Sequence, residues 1–159
     1  MCPALKAHAG GTLRTRPWSD PQVWTHLALL PGIAVALVRD PPMLELAVLQ
    51  SAVCVLSIIW HRSRERECGL AKVEHAFAHA LFVYGALQTC YSPSAAILCM
   101  HLLCACVTLS VYVATNRRPD LWETWHPVGL HVVPGLWSLA IACYHRSLLD
   151  VWDLRDYFI

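Results

Sequence analysis

The chain has 159 residues, which is enough for one compact unit. Hydrophobic residues make up 57% of it and charged residues only 14%, with a mean hydropathy of +0.45, whereas a soluble domain is about one quarter charged. This balance excludes an ordinary water-exposed domain, and the net charge of +1 gives no electrostatic footprint for nucleic acid. We therefore expect an integral, multi-pass membrane protein.

In chain order, a polar tail over 1–20 comes first, and it lacks the apolar core of a cleavable signal peptide. Five apolar segments follow, each near the roughly 20 residues that a membrane helix needs. They are 23–38, which Pro31-Gly32 interrupts, 43–60, 70–89, 95–115 and 127–144. We predict an all-α, polytopic transmembrane bundle of about five helices over 21–146 and a short C-terminal tail over 147–159.

Lysine and arginine are distributed unequally between the two sides of this bundle. With five spans, nine of them fall on the side of the N-terminal tail, in that tail and in the second and fourth loops, and three on the other side. Because cytosolic segments carry the excess of positive charge, we predict a cytosolic N-terminus. We call this side the basic face. The expected partner is membrane lipid, and self-association through transmembrane helices is left open.

The cysteines and tryptophans have simpler interpretations. Five of the eight cysteines lie inside apolar segments, where cysteine behaves as a small hydrophobe, and Cys104 and Cys106 lack CxxC spacing. We expect packing residues rather than disulfides. Tryptophans near the predicted helix ends are typical of an aromatic belt at the membrane surface: Trp18, Trp24, Trp60, Trp122 and Trp125.

Ionisable side chains gather where the second helix ends and the third and fifth begin. Buried ionisable groups are costly in membranes and are functional candidates by default. Three imidazoles with a carboxylate suit zinc, which makes water a nucleophile near neutral pH while the carboxylate handles its proton. The group that approaches the basic face comprises Ser57, His61, Glu74, His75, His79, His126 and His131.

Three stretches carry a resemblance to a known family. Ser57-Ile58-Ile59-Trp60-His61 resembles the Ser-x-x-x-His at the end of the second helix in the CREST superfamily of membrane hydrolases, which includes the alkaline ceramidases and the progestin and adipoQ receptors. Val73-Glu74-His75 occupies the place of that family's acidic residue, usually Asp. His126 and His131 are the nearest match to its final His-x-x-x-His pair.

The resemblance implies zinc held by His61, His126 and His131, with Glu74 as the water-binding carboxylate and Ser57 as an auxiliary. It implies hydrolysis of an amide or ester bond in a lipid. We expect His75 and His79 to support the site or to replace a ligand. The chain departs from the family in having about five helices instead of seven. It also spaces the final histidines by five, which turns the second about 140° away on a regular α-helix.

Two other functions compete with the zinc hydrolase. His79 and His101 lie in adjacent helices, and a pair of histidines on facing helices can ligate haem in an electron carrier. A non-catalytic scaffold with a decayed metal site is the third hypothesis. Outside the site, we interpret His101 as a hydrogen bond between helices, and His26 and His145 as interfacial residues near the face opposite the basic one.

Overall fold

The computed structural model describes residues 15–63 and 68–151, and these ranges are helical without a β-strand. The predicted all-α bundle is therefore confirmed. Predictions that concern 1–14, 64–67 and 152–159 lie outside the described residues. The helices are α1 (Pro21–Val38), α2 (Leu44–Arg62), α3 (Cys68–Cys90), α4 (Ala95–Arg117), α5 (Pro119–Tyr144) and a short α6 (Leu148–Val151).

Four of these helices, α1, α2, α4 and α5, are long and apolar enough to cross a membrane. They indicate a membrane protein. The remaining long helix, α3, has 23 residues and is about 34 Å long, which also matches the bilayer core. Its polar first half, with Lys72 and Glu74, lowers its hydropathy relative to the other four.

Helix α1 changes geometry earlier than the sequence suggests. Its middle, Thr25–Leu29, is a 3₁₀ turn, and a regular α-helical segment follows over Leu30–Val38. Pro31 stands at the start of that segment, where an amide N–H has no intrahelical acceptor and its loss costs little. The helix is thus continuous through Pro31, and the tighter turn lies before the proline.

Helix α5 begins at Pro119, so the prediction that the fifth segment starts at 127 was wrong, and most of the polar stretch before it belongs to the helix. The polar stretch forms a 3₁₀ turn over Pro119–Leu121 and an α-helical turn over Trp122–His126. A π-helical segment, Pro127–Val132, then precedes the regular helix. Proline lacks the N–H for an i→i−4 bond, and Pro134 just beyond the segment removes one such bond from this part of α5.

Glycines permit close packing around α5. A Cβ atom at Gly135 would lie 2.7 Å from the Ala28 carbonyl oxygen of α1, and one at Gly129 would lie 2.5 Å from Val111 of α4. Helices α2 and α3 form another extensive pair, and α4 is the least buried long helix. The apolar core joins α1, α2, α3 and α5 through residues that include Leu29, Ala36, Leu46, Val53, Leu81, Trp137 and Ile141.

The outer surface is apolar, with Val38, Val48 and Leu103 more than 60% exposed, which fits contact with lipid tails. Six cysteines in the described ranges carry no disulfide. The aromatic belt is only partly matched, because Trp18, Trp24 and Trp125 are exposed but Trp60 is buried. Its ring packs against His61 and His75 instead.

Candidate metal centre

Three histidines from three helices meet at one end of the bundle, which we call the histidine end. They are His26 in α1, His61 near the end of α2 and His131 in the π-helical segment of α5. One ring nitrogen from each lies within 4.8 Å of the others, and the group could hold a metal ion. All three side chains are at most 4% exposed. We call these residues the histidine triad.

His26 was not predicted to belong to this site. The expected position of His26 near the opposite face is wrong, because α1 begins at the end of the bundle where α2 ends. Its centroid lies 3.5 Å from that of His131 and 5.1 Å from that of His61. The Nδ1 atom donates to the Val23 carbonyl at 3.2 Å. A neutral His26 therefore has its lone pair on Nε2, free to bind an ion.

His131 is oriented by a hydrogen-bonded chain. The Thr25 hydroxyl donates to the Pro21 carbonyl at 2.5 Å, so its oxygen accepts from His131 Nδ1 at 2.7 Å. This fixes the proton on Nδ1 and leaves the lone pair on Nε2. Metal-binding histidines usually have such a partner for their other nitrogen, which sets the tautomer and the ring orientation.

The π-helical segment explains how His126 and His131 share a site despite their spacing. Its i→i+5 hydrogen bonds bring His131 to nearly the same face of α5 as His126. A regular α-helix would turn His131 away from that face. The two ring centroids are 4.8 Å apart, and that of His126 is 5.3 Å from His61. His126 adjoins the triad, but the nitrogens within 4.8 Å belong to His26, His61 and His131. The ring of His126 stacks on Trp122 with centroids 3.7 Å apart.

Glu74 is buried beside these histidines and is held at both carboxylate oxygens. The Ser57 hydroxyl donates to Oε1 at 2.5 Å, and His75 Nδ1 lies 2.9 Å from Oε2 and 2.6 Å from the Ala71 carbonyl oxygen, so its one hydrogen is shared between them. Ser57 therefore positions the carboxylate, and His75 lies next to it and outside the triad. His79 is exposed on the next turn, where its Nδ1 contacts the His75 carbonyl at 2.5 Å.

His101 and His145 form a separate pair toward the other end of the bundle. The Trp137 indole N–H donates to His101 Nδ1 at 2.5 Å, so His101 Nε2 carries the proton and donates to His145 Nε2 at 2.8 Å. The predicted helix-to-helix hydrogen bond of His101 is confirmed. His145 lies at the end of α5, as expected, but it is buried within the protein. Both nitrogens of His101 are engaged, so this arrangement does not offer it to haem.

An apolar cavity of about 240 Å³ opens beside the triad. Its polar end includes His26, His131 and Glu74, and its wall continues between α3, α4 and α5. Leu109 and Tyr112 of α4 belong to the wall and are also 54% and 37% exposed. They lie across from the exposed His79 of α3, whose ring centroid is 6.0 Å from that of Tyr112. The cavity thus reaches the outer surface along the α3–α4 seam.

The donor set fits zinc. Buried neutral imidazoles are good zinc ligands, and three protein ligands leave one position open for a reactant. An ion bound at about 2.0–2.1 Å by three nitrogens brings them to about 3.4 Å from one another. The ring nitrogens of the triad lie within 4.8 Å of one another, so any pair at the upper end of this range has to approach by about 1.4 Å.

Known proteins offer no further guide to this site. No match was found in comparisons with protein-family models, with curated proteins or with solved structures. The assignment of function therefore depends on the geometry described above.

Proposed function

We propose that the protein is a metal-dependent intramembrane hydrolase that cleaves an amide or ester bond of a lipid. The observation that carries this proposal is the histidine triad, two of whose members, His26 and His131, line the polar end of an apolar cavity, with the buried Glu74 in the same wall. A metal-binding group alone would suit a structural site. The adjoining cavity and carboxylate favour a catalytic one.

The three imidazoles would hold zinc, which supplies a Lewis acid that polarises a carbonyl and makes water nucleophilic at neutral pH. Glu74 would accept the proton of the attacking water and return it to the leaving nitrogen or oxygen. Ser57 and His75 bind its two carboxylate oxygens and so keep it in one orientation. The apolar wall would bind the lipid chain and exclude other water.

The resemblance to the CREST superfamily supports this proposal at His61, Glu74 and Ser57. The π-helical segment also removes one objection to the resemblance, because it brings His126 and His131 to the same side of α5. The ligand set differs from the implied one, with His26 of α1 in the place expected for His126. His126 would then contact the substrate or a reacting group from the edge of the triad.

Metal content tests the site itself. We expect purified protein to contain about one zinc per chain, with most of it lost in His26→Ala, His61→Ala and His131→Ala. The matched control is His145→Gln, because His145 is a buried histidine at the other end of the bundle. Full zinc occupancy in His26→Ala would refute the triad, and a Soret absorption band would favour the haem protein.

Turnover tests the catalytic role. Using a mixed panel of N-acyl and O-acyl lipids in liposomes, we expect release of free fatty acid by the wild type. We expect Glu74→Gln to lose at least a hundredfold in rate while it retains its zinc. A wild type that binds zinc and cleaves none of these lipids would support the non-catalytic scaffold instead.

A further inference from the structure

We propose that the apolar cavity is a length gauge for a single unbranched acyl chain of about 13 carbons, closed at its far end by Trp137. This inference rests on the proposed function in placing the carbonyl end of the chain at the triad and Glu74. The chain-binding step is independent of catalysis and can be measured without it.

The wall of the cavity changes character along its length. The histidines, Ser57 and Glu74 lie at one end, and apolar side chains such as Leu81, Phe82 and Leu130 form the rest. This division suits a ligand with a polar head and a hydrocarbon tail. The volume of about 240 Å³ is below the roughly 300–1,000 Å³ of pockets for drug-sized molecules. One chain fits this volume better than two.

We assign the closed end to the Trp137 ring, which lines the far part of the cavity together with Ile141 of the next turn of α5. Gly85 is the last residue of α3 in the wall, and a Cβ atom there would lie 2.9 Å from the Trp137 ring. The ring also meets Phe82 edge-on at 5.6 Å. Its indole N–H is held by His101, which is in turn paired with His145. These contacts give the histidine pair a role, which is to keep the end of the cavity in place.

The length of the cavity follows from the geometry of α3. Eleven residues separate Glu74 from Gly85, which corresponds to about 16 Å at about 1.5 Å per residue. An extended alkyl chain advances about 1.25 Å per carbon, given bonds of about 1.52 Å and angles of about 111°. About 13 carbons therefore reach from the carboxylate to the closed end. Longer chains would have to bend or leave through the α3–α4 seam.

The test measures binding of saturated fatty acids, the products common to amide and ester cleavage. Acids of about eight to twenty carbons compete with a photoreactive fatty acid for labelling of the full chain in nanodiscs, with affinities referred to the concentration of free acid in water. We expect affinity to rise about fourfold per added methylene and to level off near 13 carbons. Affinity that keeps rising to the longest acid, or does not depend on length, would overturn the gauge.

Two variants shorten the cavity from opposite walls. Ala78 of α3 lies one turn beyond Glu74, so Ala78→Phe should move the plateau in affinity to about five carbons. Leu130→Phe of α5 narrows the cavity from the facing side. The matched control, Ala80→Phe, adds the same ring at an exposed position of α3 and should leave the plateau unchanged. Circular dichroism confirms folding. An unchanged plateau in both folded wall variants would also overturn the proposal.

A fourth variant separates this proposal from the hydrolase. His61→Ala removes a triad ligand, and we expect it to lose zinc and turnover but to keep the plateau near 13 carbons. If the wild type shows this plateau but never cleaves a lipid, the proposed reaction fails and the length gauge stands. If His61→Ala abolishes the plateau in folded protein, the gauge is refuted as a separate feature of the cavity.

Discussion

Thr25 is the residue on which the orientation of the triad depends most directly. Its hydroxyl accepts from His131 Nδ1 and donates to the Pro21 carbonyl, so a side chain of α1 fixes the tautomer of a histidine on α5. Because α1 also supplies His26, one short 3₁₀ turn provides both a candidate ligand and the partner of another.

Replacing this hydroxyl should weaken metal binding without emptying the site. For Thr25→Val, which conserves shape, we expect zinc affinity to fall about 10–100-fold, because His131 loses the partner that sets its lone pair. Competition with a fluorescent chelator measures this change. Thr25→Ser should retain near wild-type affinity. The matched control is Thr115→Val, since Thr115 is a buried threonine bonded only within α4, and an equal loss there would contradict the assignment.

At the scale of the elements, the close contact of α1 and α5 decides whether the triad can assemble. Gly135→Ala would place a Cβ atom 2.7 Å from a backbone oxygen of α1, so one of the two helices must move. We expect a loss of about 1–3 kcal/mol in the free energy of unfolding and weaker zinc binding. Thermal denaturation in detergent, with and without zinc, measures both effects.

Gly69 of α3 offers the opposite case. Nothing lies within 4 Å of a Cβ atom at this position, and alanine is the better helix former. Gly69→Ala should therefore be neutral or stabilise the protein by about 0.4–1 kcal/mol. Comparable destabilisation by both glycine replacements would show that the α1–α5 contact has no special role.

Much of this architecture could be predicted from the sequence because apolar segments of bilayer length are a strong signal. The convergence of the second, third and fifth helices followed from their directions alone. The π-helical segment could not be predicted. On a regular α-helix, residues five positions apart point in different directions, so the sequence indicated that His126 and His131 lie on different faces. His26 was missed although the topology contained the signal: a residue near the start of α1 must lie on the same side as His61.

At the scale of the whole molecule, the stability of the folded chain should depend on pH through His145. Burial, with the nearby His101 and Arg39, lowers the pKa of His145 from 6.5 to about 4. As the pH falls, His145 therefore becomes protonated at a higher pH in the unfolded chain than in the folded chain. The contribution of His145 to stability is fully present above pH 6.5 and is lost as the pH falls toward about 4.

A single variant isolates this contribution from those of the other histidines. Glutamine at position 145 can still accept from His101 but does not titrate, so His145→Gln should lose less stability between about pH 7 and pH 5 than the wild type. Melting temperatures in one detergent across this range give the comparison. Parallel curves for the two proteins would contradict the assigned role of His145.

The triad draws on the first, second and last long helices of the chain. A polypeptide that lacks α5 has only two of the three imidazoles, so ion capture at the triad has to wait until α5 has been synthesised. A captured ion would tie α1, α2 and α5 together, because it stabilises only the state in which all three are in place. Metal supply would thereby act as a checkpoint on maturation as well as on chemistry.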